Sequence, residues 1–154
     1  MRTFVAITGS SGMIYAKRLL EILISKGIET HLTISKNGCM VLEQELGIRL
    51  DPDKFDVSKL ISDTKGMDIK YYRWDNLNAI FASGSNLEKD DTFVIIPCSM
   101  GTLGRIASGY SQDLITRAAD VFLKERKKLI LVIRETPLNY IQIKNMALIS
   151  RAGG

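Results

Sequence analysis

Apolar positions along the chain switch between two periods. Thr3 to Thr8 is a short, β-branched apolar run that stops at Gly9-Ser10-Ser11-Gly12, after which Ile14, Leu19, Leu20 and Leu23 recur at helical spacing. This predicts a strand, a glycine turn and a helix, with Gly27 as the C-cap. Glu29 to Ile34 reads as a second strand with Thr30, Leu32 and Ile34 on one face, which completes a βαβ unit. Residues 37 to 46 read as helix. From 48 to 66 the chain is polar and rich in Asp and Lys, with one weak helix around Val57 to Ser62, and a short strand is expected at Ile69 to Tyr72.

The second half is more regular. Thr92 to Ile96 is a continuous apolar run bounded by Asp90-Asp91 and Pro97, the pattern of a strand buried on both faces. Helices follow at 102 to 108 and 112 to 124, then a second buried strand at 129 to 133, a turn at Arg134-Glu135-Thr136-Pro137 and a helix from 138 to 150. Strands alternate with helices, which predicts an α/β fold: a three-layer, Rossmann-like (flavodoxin-like), doubly wound and mostly parallel sheet. Its ligand should sit outside the carboxyl ends of the strands.

Composition narrows the class. With 154 residues, 45% apolar and 25% charged, the chain has the profile of one folded domain, 1–154, and not of a disordered or repetitive one. No apolar stretch is long enough to span a bilayer, and the N-terminus lacks the long apolar region and cleavage site of a signal peptide, so the expectation is a cytoplasmic protein without a membrane partner. Cys39 and Cys98 offer neither a disulfide framework nor paired metal-ligand spacing, and no metal site is expected. Charge is uneven: residues 103 to 154 carry 9 Lys/Arg against 4 Asp/Glu, whereas residues 1 to 102 carry 12 against 13. The basic excess asks for an anionic partner. Without a recognition motif or an aromatic-interleaved basic stretch, a phosphorylated small molecule fits better than nucleic acid.

Three segments at predicted strand ends carry chemistry. In Gly9-Ser10-Ser11-Gly12, glycines admit a ligand to the backbone and the following helix offers free N–H groups to an anion, although a plain tight turn reads equally well. In Ser99-Met100-Gly101-Thr102, two hydroxyls flank a glycine where a helix cap needs only one. Arg117, Lys124, Arg134 and Glu135 could clamp a phosphate and protonate it, or the helical pair could simply bridge to Asp120. Cys98 and His31 read as structural, because neither finds a partner for nucleophilic chemistry.

The stretches IIPCSMGTLGRIASG, DLITRAADVFLKERKKLILVIRETPL and the NM of the last helix, with ITGSSG, IYAKRLL and ETHLTISK near the start, resemble the flavin prenyltransferase (UbiX-like) family. The resemblance covers nearly the whole chain. It implies an FMN-binding flavoprotein that joins a dimethylallyl group from dimethylallyl monophosphate to N5 and C6 of reduced FMN, making prenylated FMN for a partner decarboxylase. It also implies a homo-oligomer, a dodecamer in the family, with active sites between subunits. FMN contacts fall on Gly9, Ser10, Ser11, Ser35, Ser99, Met100, Gly101, Thr102 and Arg117. Lys124, Arg134 and Glu135 match the prenyl-phosphate end, Glu45 matches a proton-shuttling carboxylate that works with Ser11, and Ala82 to Ser85 matches a further active-site loop. Ser10, Leu77, Asn86 and Gln142 depart from the family pattern. Family members also continue past the position of Gly154 into a strand, a Pro-rich loop and a helix, so a C-terminally short domain is expected. A flavin-dependent decarboxylase of the same fold and a non-catalytic flavin-binding accessory subunit remain alternatives at this point.

Overall fold

The structure is a computed structural model and describes residues 1–61 and 69–154. Five strands, β1 (Arg2–Ile7), β2 (Glu29–Ile34), β3 (Ile69–Tyr71), β4 (Thr92–Cys98) and β5 (Lys128–Ile133), form one sheet in the order β3-β2-β1-β4-β5. Every pairing is parallel, as crossover connections through helices require. The helices are α1 (Met13–Ser25), α2 (Lys36–Leu46), α3 (Met100–Ala107), α4 (Leu114–Lys124) and α5 (Tyr140–Ala152). The strand order reverses between β1 and β4, and there the crevice of a doubly wound sheet opens.

Pleating divides the core. Val5, Ile7, Leu32, Ile34, Val94 and Ile96 pack with α1 and α2 on one face. Phe4, Ala6, Phe93, Ile95 and Leu129 pack with α3, α4 and α5 on the other. The second layer is aromatic at its centre, with the Phe4 ring stacked on Phe81 at 4.8 Å and on Phe93 at 4.5 Å. Phe81 belongs to a 3-10 turn, Ile80–Ala82, in the long connection before β4, where sequence periodicity gave no element. A second turn, Gly84–Asn86, follows, and the Arg2 guanidinium holds its end by donating to the Asn86 carbonyl at 2.9 Å while gripping buried Asp91 at 3.1 and 2.6 Å.

Boundaries move in instructive ways. β4 runs through Pro97 to Cys98, two residues past its expected end, because the Pro97 carbonyl accepts from the Thr8 amide and hydroxyl while the ladder shifts register there. Ser99 and Asp113 cap α3 and α4, and Asn139 with Gln142 forms a capping box that starts α5 two residues late. Gly27 adopts φ 65 one residue beyond the Lys26 cap of α1. The weak helix expected at Val57 to Ser62 is a single 3-10 turn, Val57–Lys59, and Ser62 lies outside the described residues. β5 is not the doubly buried strand its apolar run suggests. It is a sheet edge, with Ile130 41% and Val132 38% exposed, because the layer of α1 and α2 reaches β4 and stops short of β5.

Candidate active site

The crevice between β1 and β4 is lined by Gly9, Ser35, Lys36, Asn37, Trp74, Ser99, Thr102, Arg105, Asp113 and Ile115. Gly9 lets the end of β1 meet the first turn of α2: a Cβ there would lie 2.5 Å from the Asn37 Cβ. Ser35 caps α2 by accepting from the Gly38 amide at 3.0 Å, and the Lys36 ammonium lies over the Trp74 ring at 4.7 Å. Across the crevice, Thr8 accepts from the Ser99 amide through its hydroxyl at 2.8 Å, locking the start of α3 to β1. Two helix N-termini and several hydroxyls therefore converge on one slot of about 190 Å³. That donor set, with a backbone approach only glycine permits, fits a phosphorylated, ring-bearing ligand such as FMN.

The glycine turn differs from expectation. Gly12, at φ 109, occupies the N-cap of α1 and has no side chain to satisfy it, so the Glu45 carboxylate of α2 reaches over instead. It accepts from the Gly12 amide at 3.0 Å and the Met13 amide at 2.9 Å. The Met13 amide first, then the Gly12 amide, the Ser11 hydroxyl and the nearby Arg134 charge hold this carboxyl below the usual carboxylate range. The Ser10 amide is also spent, on the Thr8 carbonyl. A phosphate held by the amides of residues 9 to 12, as the turn alone suggests, would compete with an anion already in place. The freer helix N-terminus facing the slot is that of α2, at Ser35.

The Ser10 hydroxyl donates to the Arg134 carbonyl at 3.0 Å, joining the turn to the end of β5. Ser11, Glu45 and Arg134 thus gather at the carboxyl edge of the sheet; Glu135 follows Arg134 in the chain, and its carboxylate accepts from the Thr136 amide at 3.2 Å. Met100 and Gly101 open α3 beside Ser99 and Thr102.

Lys124 and Arg117 are elsewhere in the same chain. Lys124 ends α4 at the amino edge of the sheet, and the six residues of β5 put roughly 20 Å between that edge and Arg134. Lys124 pairs with Glu125 at 3.1 Å, not with Asp120. Arg117 pairs with Asp120 at 3.6 Å, and its Nε donates to the Ala82 carbonyl at 3.0 Å. Ala82 to Ser85, Arg117, Lys124 and Glu125 therefore form a second cluster on the outer side of α4, which one chain does not bring to the crevice. A linear reading cannot see this, because residues ten apart across a helix and strand can face opposite ends of the sheet.

The residues expected to be structural are so. Cys98 is buried and its thiol pushed up to about 12 by that burial. His31 is buried, bonded to Tyr72 and Glu29 at 3.0 Å each, and desolvation lowers its pKa. Ala118, Val121 and Phe122 are core, not an open helix face. Among the described residues no cluster of His, Cys, Asp and Glu is arranged to hold a metal, and no helix is long and apolar enough to cross a membrane. Lys36, Asn37, Arg105 and Asp113 line the crevice without having been singled out from sequence. Only the Arg105–Asp113 charge pair carried a signal, and a spacing of eight across a loop does not read as a pair.

Comparison with known proteins agrees with this architecture. A family model described as Flavoprotein matches residues 1–152. The chain is 45% identical over 153 residues to the flavin prenyltransferase UbiX of Methanocaldococcus jannaschii, covering 99% of this chain and 76% of that one. Among solved structures, AnUbiX (PadA1) in complex with FMN and dimethylallyl pyrophosphate superposes with TM-score 0.84 at 38% identity, covering 99% of this chain and 74% of the other. A dodecameric FMN-dependent UbiX-like decarboxylase from Escherichia coli O157:H7 gives TM-score 0.84 at 37% identity, covering 99% and 77%. Matched over nearly its whole length in sequence and in fold, the chain belongs to the UbiX-like flavin prenyltransferases of the flavoprotein family.

Proposed function

We propose that this protein transfers a dimethylallyl group from dimethylallyl monophosphate to reduced FMN: the bond to N5 replaces the N5–H and allylic C–O bonds with release of phosphate, and the bond to C6 replaces the C6–H bond and the prenyl alkene π bond, a proton going to the other alkene carbon. The observation that carries the reading is the meeting of Ser11, Glu45 and Arg134 around the glycine turn, whose Gly9 lines a crevice shared with Ser35, Ser99 and Thr102. FMN, when bound, supplies the nucleophilic nitrogen and carbon. The chain's residues do the rest. Gly9, Ser10, Ser11, Ser35 and Ser99 to Thr102 bind and orient the flavin. Arg134 offsets charge that develops on the departing phosphate, and Glu135 is placed to give it a proton. Glu45, held by Ser11, is placed to move a proton near the flavin.

Arg117 and Lys124 complete such a site only if supplied by a second copy. Their position on the outer side of α4 supports a homo-oligomer, taken to be a dodecamer on the description of the Escherichia coli neighbour. The product, prenylated FMN, would serve a separate decarboxylase, and the proposed location is the cytoplasm. The test is an anaerobic single-turnover reaction with reduced FMN and dimethylallyl monophosphate, followed by mass analysis of the flavin, with a parallel arm using the pyrophosphate. A flavin heavier by one prenyl unit supports the reading. Unchanged FMN mass in both arms, with FMN bound, returns the choice to a decarboxylase or a flavin-holding subunit.

A further inference from the structure

Asp113 and Arg105 line the crevice without a role in the chemistry above. Asp113 caps α4 through one carboxylate oxygen, which accepts from the Thr116 amide at 2.8 Å and the Thr116 hydroxyl at 3.0 Å. Its other oxygen accepts from Nη1 of Arg105 at 2.8 Å. The Arg105 fork is thereby aimed, and Nη2 donates to the Thr102 hydroxyl at 3.2 Å. Ser99 donates to the same Thr102 oxygen at 3.0 Å, while its own oxygen accepts from the Thr102 amide.

A hydroxyl has two lone pairs and one proton. Both lone pairs of Thr102 are committed, to Arg105 and to Ser99, and its proton has no protein acceptor among the described residues. Thr102 is 2% exposed and lines the crevice, so the slot is where an acceptor for that proton can arrive. A threonine without Arg105 could rotate and accept as readily as donate. With Arg105 in place it can only donate.

We propose that Arg105, aimed by Asp113, is a positioning residue that makes Thr102 an obligate hydrogen-bond donor to a lone-pair acceptor of the bound flavin. The pair lines the crevice beside Thr102 and acts through its hydroxyl. It also couples the cap of α4 to the flavin, so that α4 cannot shift without loosening the Thr102 contact. This inference rests on the flavin-binding reading and concerns how that binding is tuned.

The experiment is a double-mutant cycle on FMN affinity, measured by flavin fluorescence on the full chain, with thermal unfolding followed in parallel. Thr102→Val should weaken FMN binding about tenfold, the value of one lost hydrogen bond, and Arg105→Met by a similar factor. In the Thr102→Val background, Arg105→Met should then cost less than about twofold, because both changes remove one interaction. Thr102→Ser, which keeps the hydroxyl, should bind FMN more tightly than Thr102→Val and remain sensitive to Arg105→Met. Asp113→Asn retains an N-capping side chain but loses the charge that aims Arg105, so it should weaken FMN binding without unfolding α4. Multiplying factors in the double variant would overturn the proposal by showing that Arg105 acts on its own account. Parent-like FMN affinity in Arg105→Met would overturn it too. If the unmodified protein fails to bind FMN, the flavin reading itself falls and takes this inference with it.

Discussion

Replacing Glu45 by Gln tests whether a carboxylate from one helix serves as the missing cap of another. The amide of Gln can still accept from Gly12 or Met13, so shape is nearly kept and the charge is what is lost. A full charge at a helix N-terminus is worth about 0.3–1 kcal/mol, and charge-assisted bonds to amides add to it. Because the Glu45 side chain stands largely in water, solvent screening discounts the sum, and about 1 kcal/mol at neutral pH is the expected loss. For a domain this size that is a fall of about 2–4 °C in Tm. The pH dependence carries the diagnosis. The folded carboxyl titrates below its ordinary 4.5, so its contribution is complete above that pH and disappears as pH falls through the depressed value. Urea unfolding of both proteins from pH 7 down to pH 3 should show a stability gap that closes at the acid end. A gap of constant size, or none at pH 7, would refute the capping role.

Gly9→Ala forces a Cβ to within 2.5 Å of the Asn37 Cβ and 3.2 Å of its carbonyl carbon, so we expect a loss of about 1–3 kcal/mol by chemical denaturation together with weakened FMN binding. His31 is buried neutral, so the unfolded chain binds the extra proton as pH drops below 6.5; Tm should therefore fall from pH 7 to 5, and a folded His31→Gln variant should show a flatter slope. Glu135→Gln should leave FMN affinity intact while slowing prenyl transfer, and undiminished turnover would remove Glu135 from the reaction. Co-refolding impaired Lys124→Met with impaired Glu135→Gln should raise activity above that of either variant alone, because a mixed assembly contains some sites with both native side chains; no gain in verified hybrids would argue against a shared site.

Local chemistry made the element order readable. Glycines at 9, 12 and 27 and β-branched runs at 3 to 8 and 92 to 96 state their own conformations, and alternation of strands with helices implies the parallel sheet. What sequence could not carry was anything decided across the fold. β5 has the same apolar run whether it lies inside a sheet or at its edge, and only neighbours distinguish the two. The anion-binding promise of the glycine turn was met from within by Glu45, a residue 33 positions away from Gly12. The basic residues 117, 124 and 134 looked like one clamp, yet a helix and a strand running in opposite directions carry Lys124 and Arg134 to opposite ends of the molecule. The segment before β4 was unreadable because its order comes from Phe81 entering a distant aromatic layer.

That anchoring of Phe81 bears on assembly. Phe81 is fully buried against Phe4, and Arg2 ties the Asn86 carbonyl, so the short run carrying Ser83 and Ser85 is held at both ends before any other copy arrives. A surface loop that must be ordered on association charges the complex for every dihedral it freezes, about 1–2 kcal/mol per residue of backbone. Here the folding of the monomer has already met that cost. In the proposed homo-oligomer, association would then join two preformed surfaces, and losses of affinity between copies should trace to Phe81 and Arg2, neither of which needs to touch the neighbour.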